Sequence, residues 1–214
     1  AFRAAMTGSA SDSLTARLNL AVLRFDRGEH VEALAEFDGF IDVYNSRRAR
    51  LTSAELMAVG TAVRYLGVTN PQLFKDALKA YDEAVARDST NQEAQLRVAE
   101  LFLEKYNSGE AKGSLGALLA KNPRHPRARL ASARVASFDG SGAAAELVRK
   151  SLEVNPNAAP ARAFLGSIHL DGEDHVAAAR EAEQALATDS TDLDALSVLA
   201  GAGYLHGDET LVES

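Results

Sequence analysis

Residues 159–192 read APARAFLGSIHLDGEDHVAAAREAEQALATDSTD, and they contain two apolar helical patterns separated by one turn. The first pattern spaces Phe164, Leu165 and Ile168 at helical intervals, and Pro160 stands where the first turn of a helix tolerates a missing amide. A polar turn at 171–174 interrupts this pattern. The second pattern places alanines on one face, and such small side chains allow two helices to approach closely. The stretch therefore predicts a helical hairpin.

The hairpin pattern recurs along the chain. Within 159–192 it consists of Leu165-Gly166, Ala178 twelve positions after the glycine, and Ala185-Leu186. This pattern resembles the tetratricopeptide repeat, which has a period of about 34 residues. The small residue of the first helix recurs at gaps of 39, 39, 34, 33 and 34 residues, by subtraction along Ala21, Gly60, Ala99, Ala133, Gly166 and Ala200. We therefore predict an all-α fold, a right-handed superhelical solenoid of antiparallel helix pairs with about five and a half repeats.

The repeat pattern also predicts where each unit begins and ends. Successive segments are a lead-in at 1–13, repeat 1 at 14–47, repeat 2 at 53–91 with an insertion at 69–73, repeat 3 at 92–125, repeat 4 at 126–158, repeat 5 at 159–192, and a partial repeat 6 at 193–214. Repeat 2 follows a basic loop at 47–50, and the spacing of Thr52 and Glu55 predicts a capping box at its first helix. Because the last repeat is incomplete, we interpret the chain as a piece of a longer protein.

Composition and charge exclude several classes of protein. Apolar residues make up 46% of the chain and aromatic residues only 6%, which fits a helical solenoid with a core of small side chains. The net charge of −7 argues against nucleic acid as the main partner. The absence of cysteine excludes disulfides and cysteinyl zinc, and leaves either a cytoplasmic or a periplasmic location open for a soluble chain. No apolar run approaches the ~18 residues of a membrane span.

The sequence indicates no catalytic, metal or cofactor site. Metalloprotease helices place two histidines one turn apart beside a glutamate, and this arrangement is absent, as are a glycine-rich phosphate loop and a Gly-x-Ser-x-Gly elbow. The histidines lie in different repeats or in turns, at His30, His125, His169, His175 and His206. A basic run from Lys121 to Arg129 crosses a two-proline turn without interleaved aromatic residues, and we interpret it as a solvated corner.

The resemblance to the tetratricopeptide repeat implies a binding surface. In this family the first helices form a concave face that holds a peptide or a helix of a partner protein. The repeat register places an apolar floor there, edged by charges, and the predicted partner-binding residues are Leu18, Met57, Thr61, Arg64, Leu96, Glu100, Arg127, Leu130 and Arg134, with Glu93 at the edge. In one subclass of the family, Lys and Asn side chains bind the C-terminal carboxylate of a partner. This sequence has neither residue at the corresponding positions. Alternatively, the apolar residues bury against neighbouring helices and the charges pair along the groove.

The expected function is a non-enzymatic scaffold that binds another protein or peptide. Two alternatives stay open: self-association through the partial repeat 6, and an accessory role in a larger bacterial hydrolase. The hydrolase alternative depends on a second resemblance, because residues 73–85 and 100–111 are similar to repeat regions that precede a zincin-type peptidase domain in some bacterial proteins. Such a domain would lie beyond Ser214, and no metal-binding residue can be carried onto this chain.

Overall fold

The computed structural model describes residues 10–68 and 70–206. Within these ranges the chain is helical and contains no strand, which confirms the predicted all-α class. The helices are α1 (Ala10–Asp26), α2 (His30–Arg47), α3 (Ser53–Leu66), α4 (Leu73–Arg87), α5 (Gln92–Glu104), α6 (Ser108–Lys121), α7 (Pro126–Phe138), α8 (Ala144–Leu152), α9 (Ala159–Asp171), α10 (His175–Leu186) and α11 (Leu193–His206), with a short 3₁₀ turn at Arg48–Arg50 after α2.

Some predicted segments lie partly outside the described residues, namely the lead-in up to residue 9, position 69 of the insertion, and 207–214 of repeat 6. The helix α1 already begins at Ala10, inside the predicted lead-in. The helices otherwise occur in pairs along the predicted repeats, although the repeat borders themselves stay predictions.

Polar side chains fix the starts of several helices. Thr52 and Glu55 form the predicted capping box at α3, since the Thr52 side chain accepts from the Glu55 amide and Glu55 accepts from the Thr52 amide. These bonds satisfy amides that have no partner within the helix. Single side-chain caps serve other helices, at Asn91 for α5, Asn107 for α6, His125 for α7 and Asp174 for α10.

The chain forms two compact units that divide between Lys105 and Tyr106. The first contains α1 to α5, and its core is built around large side chains with no exposed surface, among them Phe37, Phe40, Leu56 and Tyr81. The second contains α6 to α11, and its core is mostly alanine with Leu130, Val148 and Leu165. The division falls within predicted repeat 3, so that α5 belongs to the first unit and α6 to the second.

Small residues lie where the helices of one hairpin approach most closely. A Cβ added to Gly60 on α3 would stand 2.7 Å from two ring atoms of Tyr81 on α4. At Gly166 on α9, the same addition would meet the Ala178 carbonyl of α10 at 3.2 Å and Val198 of α11 at 3.0 Å. The corresponding alanines at 21, 99 and 133 have no exposed surface, whereas the one at 200 is half-buried. Close approach therefore explains the recurring small residue.

In three hairpins, a side chain near the start of the first helix donates a hydrogen bond to a carbonyl of the preceding loop. The fourth residue of α7, Arg129, donates from Nε to the Pro123 carbonyl, and the fourth residue of α9, Arg162, donates in the same way to Pro156, each at 2.8 Å. In α5 the fourth residue is Gln95, and its Nε2 donates to the Ser89 carbonyl at 2.7 Å. These contacts recur at intervals of 34 and 33 residues, which is the spacing of the hairpins themselves.

Candidate functional site

The candidate site is the face of the first helices, described for each compact unit by itself. In the first unit these helices are α1, α3 and α5, which carry six of the predicted residues: Leu18 on α1, Met57, Thr61 and Arg64 on α3, and Leu96 and Glu100 on α5. In the second unit Arg127, Leu130 and Arg134 lie on α7.

The predicted apolar floor needs a correction, because three of its four residues are inaccessible. Leu18 is 6% exposed, Leu96 is fully buried and Leu130 is 8% exposed. Repeat spacing locates such a residue on the first helix, but the packing of neighbouring helices determines its depth. Met57 alone stays half-buried and within reach of a partner. The alternative that the leucines bury against neighbouring helices is therefore correct at these positions.

Charges on the first unit pair along the face, as the same alternative expected. The Nε of Arg64 on α3 donates to the Glu104 Oε2 on α5 at 2.9 Å, and a second nitrogen of Arg64 contacts the other carboxylate oxygen. Burial is the largest single effect on Arg64 and lowers its pKa, but the hydrogen bond to Glu104 and the attraction of nearby negative charges together outweigh burial and raise that pKa. Arg97 on α5 lies 3.0 Å from both Glu93 and Glu100. The charges on this face are therefore paired with one another.

Thr61 is held by two hydrogen bonds. Its hydroxyl donates to the Met57 carbonyl at 3.0 Å and lies 3.1 Å from the hydroxyl of Tyr81. Because the single hydroxyl proton of Thr61 is committed to the carbonyl, Tyr81 is the donor in the second bond. Burial raises the pKa of Tyr81, so that its phenol stays protonated. The hydroxyl of Thr61 is consequently engaged within the protein and offers no free donor.

An aromatic cluster joins α1, α2 and α3. The ring of Tyr65 stacks on Phe37 at 4.7 Å between centroids and meets Phe25 edge-on at 5.1 Å, while Phe25 also stacks on His30 at 4.6 Å. Tyr65 directly follows Arg64 on α3 and is half-buried, and burial raises its pKa. The cluster fixes α3 and thereby the position of Arg64.

On the second unit the accessible predicted residues are both arginines. Arg127 and Arg134 are exposed on α7, on either side of the buried Leu130. The guanidinium of Arg134 lies 5.7 Å from the ring centroid of Phe164 on α9, within the range of a cation–π contact. The face of this unit therefore presents a cation held against an aromatic ring.

Sequence reasoning missed Arg97, Glu104 and Tyr65. The pairing of Arg97 was readable, since Glu93 and Glu100 stand four residues before and three residues after it on one helix. The pair formed by Arg64 and Glu104 was not readable, because the two residues are 40 positions apart and meet only when α3 and α5 pack.

Two of the histidines contact neighbouring groups of the fold. His125 caps α7 by accepting from the Ala128 amide at 3.2 Å, and the Nδ1 of His169 lies 3.8 Å from Asp174. The described residues contain no group of three or more His, Asp or Glu side chains arranged to hold a metal ion. No described helix is both long and apolar enough to cross a bilayer.

Comparison with known proteins gives the family pattern for part of the chain. A family model described as tetratricopeptide repeat matches residues 139–209. No curated protein matches the chain significantly. The sequence-level evidence therefore comes from the C-terminal third, within the second unit.

Solved structures extend the similarity to nearly the whole chain. A tetratricopeptide repeat protein from Parabacteroides merdae is 15% identical, with a TM-score of 0.69 over 98% of this chain and 79% of that one. A thermophilic protein of the same kind from Thermus thermophilus is 20% identical, with a TM-score of 0.68 over 88% of this chain and 98% of that one. The pilF protein of Pseudomonas aeruginosa is 17% identical, with a TM-score of 0.61 over 94% and 87%. At these identities the likeness concerns the fold.

These matches confirm the resemblance to the tetratricopeptide repeat. They give no support to the resemblance to regions that precede a zincin-type peptidase, and an accessory role in a hydrolase stays a prediction. The chain folds as a tetratricopeptide-repeat protein, and its residues 139–209 carry the sequence pattern of that family.

Proposed function

We propose that this chain is a non-enzymatic scaffold that holds a peptide or helix of another protein against its first-helix face. The observation that supports the proposal most directly is the surface around Met57 on α3. Met57 is half-buried and lies one turn before Thr61, and the paired charges of Arg64 with Glu104 follow on the same helix face. An apolar anchor beside fixed charges suits an amphipathic segment, because burial supplies affinity and the charges set register.

A photo-crosslinking amino acid at position 61 tests this proposal. We expect it to capture a partner protein from cell extract, whereas the same amino acid at Glu32, an exposed position on the second helix α2, captures none. Met57→Asp should then weaken binding of the captured protein at least tenfold, which corresponds to about 1.4 kcal/mol. The matched control is Glu32→Lys, with circular dichroism used to show that both variants are folded. Stronger capture from position 32 would place the interface on the second helices and refute the proposal.

A second candidate is self-association through α11. Its first residue, Leu193, is 76% exposed and Tyr204 is 75% exposed, and a separation of eleven positions places both on one side of a helix. Such an exposed apolar stripe favours contact with another apolar surface. Sedimentation velocity would show a concentration-dependent dimer that Tyr204→Asp abolishes and that Val176→Asp, a change at an exposed valine on α10, leaves intact. A monomer at all concentrations would exclude this candidate.

A further inference from the structure

An open cavity of about 870 Å³ lies in the first unit, where the turn after α2 meets the end of α4. Four arginines line it: Arg47, Arg48 and Arg50 from the basic loop, and Arg87 from the last turn of α4. The Nη1 of Arg87 donates to the Ala49 carbonyl at 3.2 Å, and this bond joins the end of α4 to the loop. The fold thus brings together arginines from two segments that are far apart in the sequence.

One carboxylate, that of Glu83, lines the same cavity, and it is already hydrogen-bonded within the protein. Glu83 accepts from the Nε of Arg48 and from the hydroxyl of Tyr44, each at 2.9 Å, and its second oxygen also contacts the Arg48 Nη2. Hydrogen bonding to Arg48 is the main cause of the lowered pKa of Glu83, which therefore stays ionised and paired. Among the described residues, no carboxylate pairs with Arg47, Arg50 or Arg87. Four arginines against one glutamate leave three uncompensated positive charges at the cavity.

This local charge opposes the charge of the whole chain, which is −7. Repulsion from that net charge disfavours a long polyanion, whereas a short anionic segment can be confined to the positive cavity. The residues that line the cavity include no aromatic side chain on which a base could stack. Both features favour a carboxylate-bearing peptide over nucleic acid.

A smaller cleft lies beside the cavity. It has a volume of about 240 Å³ between α2, α3 and α4, and Asn45 lines both spaces. The half-buried Ile41 and Leu73 supply its accessible apolar lining, and Tyr44, Asp76 and Lys79 supply polar groups. A ligand that reached both spaces would therefore meet the side chains of Ile41 and Leu73 beside the guanidinium groups of the cavity.

We propose that the cavity and the adjoining cleft, together called the second-helix groove, bind an acidic polypeptide segment, with its carboxylates among Arg47, Arg50 and Arg87 and an adjoining apolar side chain in the cleft beside Ile41. The site is separate from the first-helix face and does not depend on the function proposed for that face. Guanidinium groups favour carboxylates through paired N–H donors, and the apolar contact adds affinity and fixes the direction of the segment.

Fluorescence anisotropy with defined probes tests the groove. The probes are short labelled peptides in a Gly/Ser frame that carry one leucine before or after the segment Glu-Asp-Glu-Asp. At low ionic strength we expect one of them to bind at least tenfold more tightly than its amide counterpart with Gln-Asn-Gln-Asn, and more tightly than a version with serine in place of leucine. The double variant Arg47→Glu/Arg50→Glu should lower the affinity about tenfold or more. Arg27→Glu, a change at an exposed arginine in another turn of the same unit, should alter it less than about twofold.

Several outcomes would overturn the proposal. Equal binding of the acidic and amide peptides would show that the arginines do not select carboxylates, and no binding of either acidic peptide would remove the site. Equal loss in the Arg47→Glu/Arg50→Glu and Arg27→Glu variants would indicate a general charge effect. Displacement of the peptide by single-stranded oligonucleotide at lower concentration than by unlabelled peptide would identify a nucleic-acid surface instead. Displacement by inorganic phosphate at matched ionic strength would indicate a site for small anions.

Discussion

Some glycines in this chain are needed for packing and others only weaken a helix, and the surroundings of each glycine determine its role. Gly60 lies where a Cβ would stand 2.7 Å from the fully buried ring of Tyr81, whereas Gly116 lies within α6 with nothing within 4 Å of that position. A glycine in a helix interior costs about 0.5 to 1 kcal/mol relative to alanine unless its neighbours need the space. Gly60 is therefore needed for the close approach of two helices, whereas Gly116 is not needed for packing.

Gly60→Ala should therefore destabilise the protein by about 1 to 2 kcal/mol, because overpacking against Tyr81 exceeds the gain in helix propensity. Gly116→Ala should stabilise it by about 0.5 to 1 kcal/mol, because only the propensity changes. Urea unfolding followed by circular dichroism measures both. If Gly60→Ala unfolds at the same or higher urea concentration than the parent, α3 and α4 are not in contact at this glycine.

Tyr81 should make the first unit less stable as the pH becomes alkaline. Burial raises its pKa above the ordinary value near 10. The folded state therefore holds the phenol proton that the unfolded state releases, so that this contribution to stability is complete below pH ~10 and is lost as the pH rises through the folded pKa. Burial also raises the pKa of Tyr65, which adds a loss of the same sign.

We expect the melting temperature to fall between pH 9 and pH 11, and to fall less in Tyr81→Phe. The substitution also removes the hydrogen bond to Thr61, so the informative quantity is the change in melting temperature with pH and not its value at one pH. The control is Tyr204→Phe, at a tyrosine that is 75% exposed. Equal pH dependence in the parent and in Tyr81→Phe would contradict the burial of this phenol.

Much of the residue pattern was readable from the sequence, but burial depth was not. The small residues and the capping box of Thr52 and Glu55 were predicted correctly because their spacing follows directly from helix geometry. Leu18 and Leu96 were assigned to an accessible floor, whereas neighbouring helices cover them. Helical period identifies one side of a helix, and only the packed neighbours decide how much of that side water reaches.

At the scale of elements, the hairpin turns share a backbone conformation that the sequence does not reveal. A residue with positive φ follows seven positions after the small residue in four hairpins, at Gly28 (φ 82), Tyr106 (φ 56), Gly140 (φ 69) and Glu173 (φ 61). In three of these turns the next amide donates to the carbonyl five residues before it, from Glu29 to Arg24, from Ser141 to Ala136 and from Asp174 to His169. This bond closes the end of the first helix.

Among the hairpin turns that the structure describes, the turn of repeat 2 is the exception. The corresponding residue is Gly67, but its φ is −61, and the inserted residues follow it. Glycine at 28 and 140 signals a left-handed residue, but tyrosine and glutamate do not, and the turn position of Glu173 could not be predicted from residue type. The geometry of the hairpin imposes the conformation on whichever residue occupies the position.

Glu173→Gly should consequently stabilise the protein by about 0.5 to 1 kcal/mol, because relief of the left-handed strain exceeds the extra entropy of the unfolded chain. Gly140→Ala should destabilise it by a similar amount for the opposite reason. Chemical denaturation gives both values, and Glu173→Ala serves as the control that removes the side chain but keeps the strain. Stabilisation by Glu173→Ala equal to that by Glu173→Gly would assign the effect to the carboxylate.

At the scale of the whole molecule, the two compact units have differently built cores. Large aromatic side chains fill the first unit, with Phe37, Phe40 and Tyr81 fully buried, whereas alanines dominate the second. Helix hairpins and their number were predictable from the repeat, but the division between Lys105 and Tyr106 was not, because it separates the two helices of one predicted repeat. A sequence period describes similar units and does not specify how strongly successive units pack.

Because each hairpin packs mainly on its neighbours, we expect a packing defect to cause unfolding near the altered residue. In repeat arrays, stability is approximately a sum of contributions from each hairpin and its nearest neighbours, so a packing defect weakens the surrounding helices first. We expect Gly60→Ala to accelerate amide hydrogen exchange mainly in α3 and α4, where the added Cβ meets Tyr81. Gly166→Ala should accelerate exchange mainly in α9 to α11, where it meets the Ala178 carbonyl and Val198. Hydrogen–deuterium exchange with mass spectrometry distinguishes the two patterns, and each variant is the control for the other. Faster exchange throughout residues 10–206 in both variants would show instead that the chain unfolds as one cooperative body.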